Sequence, residues 1–286
     1  MIDSHLHLSY KYFQQTFPYI ALEDNEYVIK YGDRASLIDE MKVAGVTCCV
    51  EPAIDVDSNS LLINLSMEYP DYIYPAVGNH PTRCISSSIA DFKRVRRFAE
   101  DNKSIVAIGE TGLDYHYERM KQHRIRQKIW FNWQINLADR LNLPLILHIR
   151  MADKDAIKIL RRNKNKLHGG VCHCYGSGPE EAKIYTEELG LCLGIGGTLL
   201  MREDISAPLQ DAVKSTPLEY LMLETDGPYV KPVKPEGISK KIWIKARNTS
   251  LILPAVAQRI AGLKDIAVED VIRITEENMR RVFGIK

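Results

Sequence analysis

A chain of 286 residues with 45% hydrophobic residues carries enough apolar material for a large buried core without cross-links. Its formal net charge of +1 excludes the strongly basic footprint of a duplex-binding protein, and no stretch reaches the ~20 apolar residues of a membrane span. The six cysteines, Cys48, Cys49, Cys84, Cys172, Cys174 and Cys192, show neither secreted-type spacing nor a Cys-x-x-Cys pair, so they read as reduced core residues of a cytoplasmic protein.

Met1 to Leu8 alternates apolar and polar residues as a half-buried strand does, which puts His5 and His7 on one face and Leu6 and Leu8 on the other. The segment lacks the basic lead and apolar core of a signal peptide. A helix is predicted over 35–44, stopped by Gly45, and apolar runs follow at about 46–54, 73–79 and 105–110, the last closing on Gly109-Glu110. Arg124 to Leu141 places Ile125, Ile129, Trp130, Trp133, Leu137 and Leu141 at helical spacing, and Asn142 and Pro144 end it. Then come a run at 145–149 holding His148, a helix over 153–163, and a run at 170–174 holding His173. A helix over 179–189 stops at Gly190, and runs at 191–197 and 220–226 follow, the second closing on Asp226 before the Gly227-Pro228 turn. A helix over 268–283, with Gly284 behind it, closes the pattern.

Eight short apolar runs separated by helical stretches are the text of an α/β fold with a parallel sheet, and eight repeats predict a TIM (β/α)8 barrel. An open, doubly wound sheet would give similar text, but the convergence of ligand-type residues from the first and last strands favours closure. No repeat, low-complexity tract or composition shift divides the chain, and its length suits a ~250-residue barrel with loop insertions, so a single domain over 1–286 is expected.

Barrels of this kind carry their chemistry at the carboxyl ends of the strands. His5, His7, Glu110, His148, His173 and Asp226 all fall there, which makes a dinuclear metallohydrolase the leading reading. A lone His-x-His would be a weak signal; the other strand ends give it weight. By strand parity Cys172 and Cys174 face the helices if His173 faces the centre, so they are not expected among the ligands.

These residues carry a family resemblance. Asp3-Ser4-His5-Leu6-His7-Leu8, Val77-Gly78-Asn79-His80-Pro81, Gly109-Glu110-Thr111-Gly112-Leu113-Asp114-Tyr115, Pro144 through His148 to Arg150, His173-Cys174-Tyr175-Gly176 and Glu224-Thr225-Asp226-Gly227-Pro228 resemble, in order over nearly the whole chain, the TatD-type metal-dependent hydrolases of the amidohydrolase superfamily. The resemblance implies a barrel with two divalent cations, one held by His5, His7 and Asp226, the other by His148 and His173, with Glu110 bridging. It also implies hydrolase activity, deoxyribonuclease activity being the best-known case. Two stretches depart from the family pattern: Ser9 to Arg34 is longer and more aromatic, and residues 228–250 replace the usual segment after the last strand. Both would overhang the active face and bear on the substrate.

A bridging ligand needs two oxygens and negative charge, which Glu110 supplies and a histidine does not. Asp226 is the candidate to orient the nucleophilic water and accept its proton, so Asp226 and Glu110 are assigned catalytic roles. His80 either hydrogen-bonds a substrate oxygen or ties down its loop; Arg150 either binds phosphate or is a solvated rim charge. The cluster Lys231, Lys234, Lys240, Lys241, Lys245 and Arg247 either contacts phosphates or forms a solvated basic loop. His116, His123 and His168 read as surface histidines. The ligand set admits Zn²⁺, Mn²⁺ or Mg²⁺. The leading function is therefore a metal-dependent phosphodiesterase acting on DNA or nucleotide ends. Hydrolysis of a carboxylic ester, lactone or amide is the first alternative, disfavoured because Glu110 stands where many such relatives bridge with a carbamylated lysine; a non-catalytic metal-binding scaffold is the second. Neither a membrane nor an obligate protein partner is expected.

Overall fold

The computed structural model describes residues 1–116 and 120–285. Eight parallel strands form the barrel wall: β1 (Ile2–Asp3), β4 (Cys48–Pro52), β5 (Ile73–Val77), β6 (Ala107–Asp114), β7 (Leu145–Arg150), β8 (Gly170–Cys172), β9 (Cys192–Ile195) and β10 (Leu221–Leu223). They lie in sequence order, each beside the next. The seam between β10 and β1 is closed by backbone bonds rather than a ladder: Ser4 N donates to Leu223 O (2.9 Å), Asp226 N to His5 O (2.9 Å) and His7 N to Gly227 O (2.9 Å). The predicted TIM barrel is thus present, and all eight predicted strands are found within it.

Helices α1 (Arg34–Val43), α2 (Ser58–Glu68), α3 (Ile89–Asp101), α4 (Lys121–Leu141), α5 (Asp153–Arg162), α6 (Pro179–Lys183), α7 (Glu203–Ser215), α9 (Leu253–Lys264) and α10 (Val268–Phe283) cover the wall, and the short α8 (Lys240–Lys245) lies in the final loop. The helix predicted over 179–189 is α6 followed by a wider π-turn at Ile184–Glu188. Among the described residues, no helix is long and apolar enough to cross a membrane. The six cysteines form no disulfide.

The barrel interior is layered by the pleat. Its lower half is an apolar plug of Ile2, Val50, Ala76, Ala107, Ile146, Val171 and Met222, closed from below by Met279 and Phe283 of α10. Two residues further along three of these strands the same face carries His148, His173 and Glu224. The interior therefore turns from apolar to ionisable within one pleat, which sets the site at the carboxyl end.

Two places break this alternation. Ala107 faces inward, and so does Glu110 three residues on. The odd spacing is absorbed by an irregularity in register between Ile108 and Thr111 against β7, a bulge that turns Glu110 to the centre while Thr111 faces α4 and accepts from Gln134 Nε2 (2.8 Å). Likewise β1 ends at Asp3, not at residue 7, and a bend at Ser4-His5 brings both His5 and His7 inward.

The departing segment 9–34 forms an antiparallel hairpin, β2 (Phe17–Glu23) and β3 (Glu26–Gly32), which was not legible in the chain. It pairs with the other departing segment: Ile20 N donates to Arg247 O (2.9 Å), Arg247 N to Pro18 O (2.9 Å) and Thr249 Oγ1 to Ile20 O (2.9 Å).

Candidate metal centre

All six predicted ligands meet at the carboxyl mouth of the barrel. His5 Nε2 lies 3.2 Å from His7 Nε2 and 3.4 Å from Glu110 Oε1, while Glu110 Oε2 lies 3.9 Å from His7 Nε2. Asp226 Oδ1 stands 3.6 Å from His7 Nε2 and 3.8 Å from His5 Nε2. The oxygen that faces His5 also faces His173 Nε2 (2.9 Å) and His148 Nδ1 (3.7 Å), and those two imidazoles are 2.9 Å apart. Glu110 therefore lies within 3.9 Å of all four imidazoles.

These separations test whether a cation fits. Donors held tetrahedrally at ~2.1 Å from one ion sit ~3.4 Å apart. The donor atoms of His5, His7 and Glu110 all lie within 4.8 Å of one another, as do those of His80, Glu110 and His148. Imidazole and carboxylate, side by side in a largely buried pocket, are the donor set of a hydrolytic metal site, and the residues fit one. Burial pulls His5 down to about 4 and His80 down to about 3, helped by their neighbours His173 and His148, so both rings are neutral near pH 7, as a ligand must be. Burial also lowers His7 and His148, but Asp226 beside the first and Asp114 beside the second overcome it and push both up to about 9. Burial disfavours the Glu110 carboxylate, yet the ring of imidazoles, His173 foremost, holds it well below the usual carboxylate range.

His80 lines a 520 Å³ cavity beside His148. Its ring centroid is 4.2 Å from that of His148, and its Nδ1 lies 2.8 Å from Thr82 Oγ1, which sets the ring orientation. Arg150 ends β7 at the exposed rim and lines both cavities that open on the centre, one of 690 Å³ and one of 520 Å³.

Three residues that sequence reasoning left out support the donors. Asp114, four residues past Glu110 on the inward face of β6, lies 3.1 Å from His148 Nε2 and so directs Nδ1 to the centre; its parity with Glu110 was the available signal. Glu224 is fully buried and accepts from Cys174 N (2.5 Å) and from Ser4 Oγ (3.5 Å), behind the stacked rings of His5 and His173. A Cβ on Gly194 would stand 2.0 Å from Glu224 Oε2, so only glycine leaves room for that carboxyl. Asp3 accepts from His5 N (3.1 Å), Thr225 N (3.1 Å), Thr225 Oγ1 (2.6 Å) and Ser250 Oγ (2.6 Å), pinning the first strand, the last strand and the final loop together.

One expectation is corrected. Cys174 does not face the helices: β8 ends at Cys172, Cys174 takes a left-handed φ of 46°, and its side chain lines the larger cavity 3.8 Å from Thr198 Oγ1. Of the two readings of the basic cluster, Lys231 and Lys234 favour the loop: both bond carbonyls of their own segment. Lys231 Nζ donates to Trp243 O (2.6 Å), at the carboxyl end of α8, and Lys234 Nζ to Ile238 O (2.8 Å). Lys240, Lys241 and Lys245 are exposed, and His168 pairs with Asp139 at the surface (3.0 Å).

A parallel barrel with imidazoles and carboxylates at its strand ends defines a metal-dependent hydrolase. The model of the family described as TatD related DNase matches residues 2–284. A Bacillus subtilis protein named uncharacterized metal-dependent hydrolase YabD is 32% identical over 88% of this chain and 93% of its own length. A Pantoea ananatis protein named 3'-5' ssDNA/RNA exonuclease TatD is 31% identical over 89% of this chain and 94% of its own. The crystal structure of YJJV, a TatD homolog from Escherichia coli, shares the fold, with a TM-score of 0.82 at 23% identity over 100% of this chain and 98% of that one. The chain belongs to the TatD family and is a metal-dependent hydrolase acting on ester bonds.

Proposed function

We propose that this protein holds two divalent cations and hydrolyses phosphodiester bonds at the ends of single-stranded DNA or a related nucleic acid. The observation that supports the reading best is Glu110, one carboxylate in reach of four imidazoles at the base of an open cavity: His5, His148 and His173 through Oε1 and His7 through Oε2. His5, His7 and Asp226 would hold one cation; His148 and His173, with His80 beside them, the other; Glu110 would serve both. When bound, such a pair polarises a phosphoryl oxygen and makes water nucleophilic near neutral pH.

The chain's own residues do the rest. Asp226, held by its backbone N–H to His5 O, presents a carboxylate to the cavity that can orient the attacking water and take its proton. Asp114 fixes the His148 ring, and Arg150 offers a planar fork to phosphate at the mouth. The nucleic-acid assignment draws on relatives named exonucleases in Pantoea ananatis and Yersinia pseudotuberculosis.

Labelled single-stranded DNA incubated with cation-loaded protein should be shortened from an end, and Glu110→Ala should reduce the rate on the order of 10³-fold or more. Equal absence of product from both proteins, with ester and lactone panels cleaved, would overturn the phosphodiesterase reading. Elemental analysis giving one cation per chain would overturn the paired site.

A further inference from the structure

One wall of the 520 Å³ cavity is left unused by the hydrolytic chemistry. Tyr10 and Tyr229 face that cavity alongside the donors. Tyr229 is 43% exposed, follows Asp226 by three residues, and stands between the two cavities, its ring centroid 6.2 Å from that of His7. It meets Tyr10 edge-on, with centroids 5.9 Å apart at 88°. Tyr12 stacks on Tyr10 at 5.3 Å and 6°, and the Arg247 guanidinium lies 4.4 Å from the centre of the Tyr12 ring. The wall is therefore braced from behind, and Arg247 in turn is fixed by its backbone pairing with the hairpin. In the same cavity Arg83 is exposed, and its guanidinium has no hydrogen bond or ion pair among the described residues.

We propose that Tyr229 and Tyr10 form a stacking subsite for the terminal nucleobase of the substrate, with Arg83 as the contact for the phosphate beside it. The proposal rests on the phosphodiesterase reading above and names the part of the substrate that reading leaves open. Base stacking on a preset aromatic face is tolerant of sequence, and a free guanidinium matches a phosphate with two parallel hydrogen bonds. A base seated against Tyr229 brings its own phosphate toward Asp226 and Glu110. An aliphatic ester would gain nothing from such a wall, whereas an aromatic ring flanked by an anion satisfies both of its components.

The test compares short single strands with and without a base on the terminal sugar, each end in turn, in the cation-loaded full chain. The wild type should cleave the strand bearing its terminal base about tenfold more efficiently than the abasic one, mainly through KM. Tyr229→Ala and Tyr10→Ala should remove that discrimination, Tyr229→Phe should retain it, and Arg83→Ala should weaken both strands alike. Equal treatment of the two strands by the wild type, or alanine variants that slow both in proportion, overturns the subsite while leaving the nuclease reading intact. If no strand is cleaved, binding decides separately. Tenfold tighter binding of deoxynucleoside monophosphate than of deoxyribose 5-phosphate, lost in Tyr229→Ala, upholds the subsite without the nuclease; equal binding overturns it.

Discussion

At the floor of the mouth, His148, His173 and Glu224 stand two residues beyond Ile146, Val171 and Met222, so the pleat of the sheet alone aims them inward. At the rim, Tyr10, Tyr229 and Arg247 are placed by contacts between the two ends of the chain, such as the bond from Thr249 to Ile20 across 229 residues. Local periodicity thus sets part of the floor, completed by the bulge at Glu110 and the bend at Ser4-His5, whereas the rim depends on long-range pairing. The difference teaches that the chemistry of this barrel and the shape of what enters it are specified by independent parts of the chain, joined at Asp3 and at Asp226.

Substitutions can break or sharpen that contrast. The largest effect on folding is expected at the joint. Asp3→Ala leaves up to four buried donors without an acceptor and should cost roughly 3–5 kcal/mol, read as a loss of melting temperature together with loosening of residues 225–250 in hydrogen exchange. A loss confined to stability, with exchange at 225–250 unchanged, would show floor and rim to be separable there. Next, Asp114→Asn should lower cation affinity roughly 10–100-fold, because an amide holds the His148 ring without sustaining its basicity, while the fold is retained; unchanged affinity would remove Asp114 from the floor.

The floor should also respond to pH where the rim does not. His7 and His148 are pushed up to about 9, so below that pH each must shed a proton before it can bind a cation. Affinity should therefore fall as pH falls from 9, by about tenfold per unit for each proton displaced, measurable by calorimetric titration at pH 8 and pH 7. The same affinity at both values would contradict the stated environments. The smallest effect is expected at the rim: Lys231→Met removes the cation that caps α8 and should cost about 1 kcal/mol, with cation affinity unchanged.

Legibility in the chain follows the same division. Eight strands, most covering helices and six converging donors could be read because periods of two and of about 3.6 survive in a single sequence. Glu110 was read as the end of its strand, but β6 runs on to Asp114 and a bulge aims the carboxylate inward; neither was legible, since an irregularity in register shows only when both strands are in view. The hairpin of residues 17–32 carries a burial pattern on β3 with no clean alternation, because neither face of that strand is fully covered. Lys231 and Lys234 read as a basic patch, and only the folded loop shows that their charges are turned onto its own carbonyls.

The backbone ladder joining Ile20 and Pro18 to Arg247 has a consequence for engineering. Neither overhanging segment is an autonomous module: transplanting one from a relative would strand the amides of the other and unseat the guanidinium behind Tyr12. Recombination among these enzymes should succeed when both pieces travel as a cassette, cut between residues 9 and 34 and again between 228 and 250, and fail when either crosses alone.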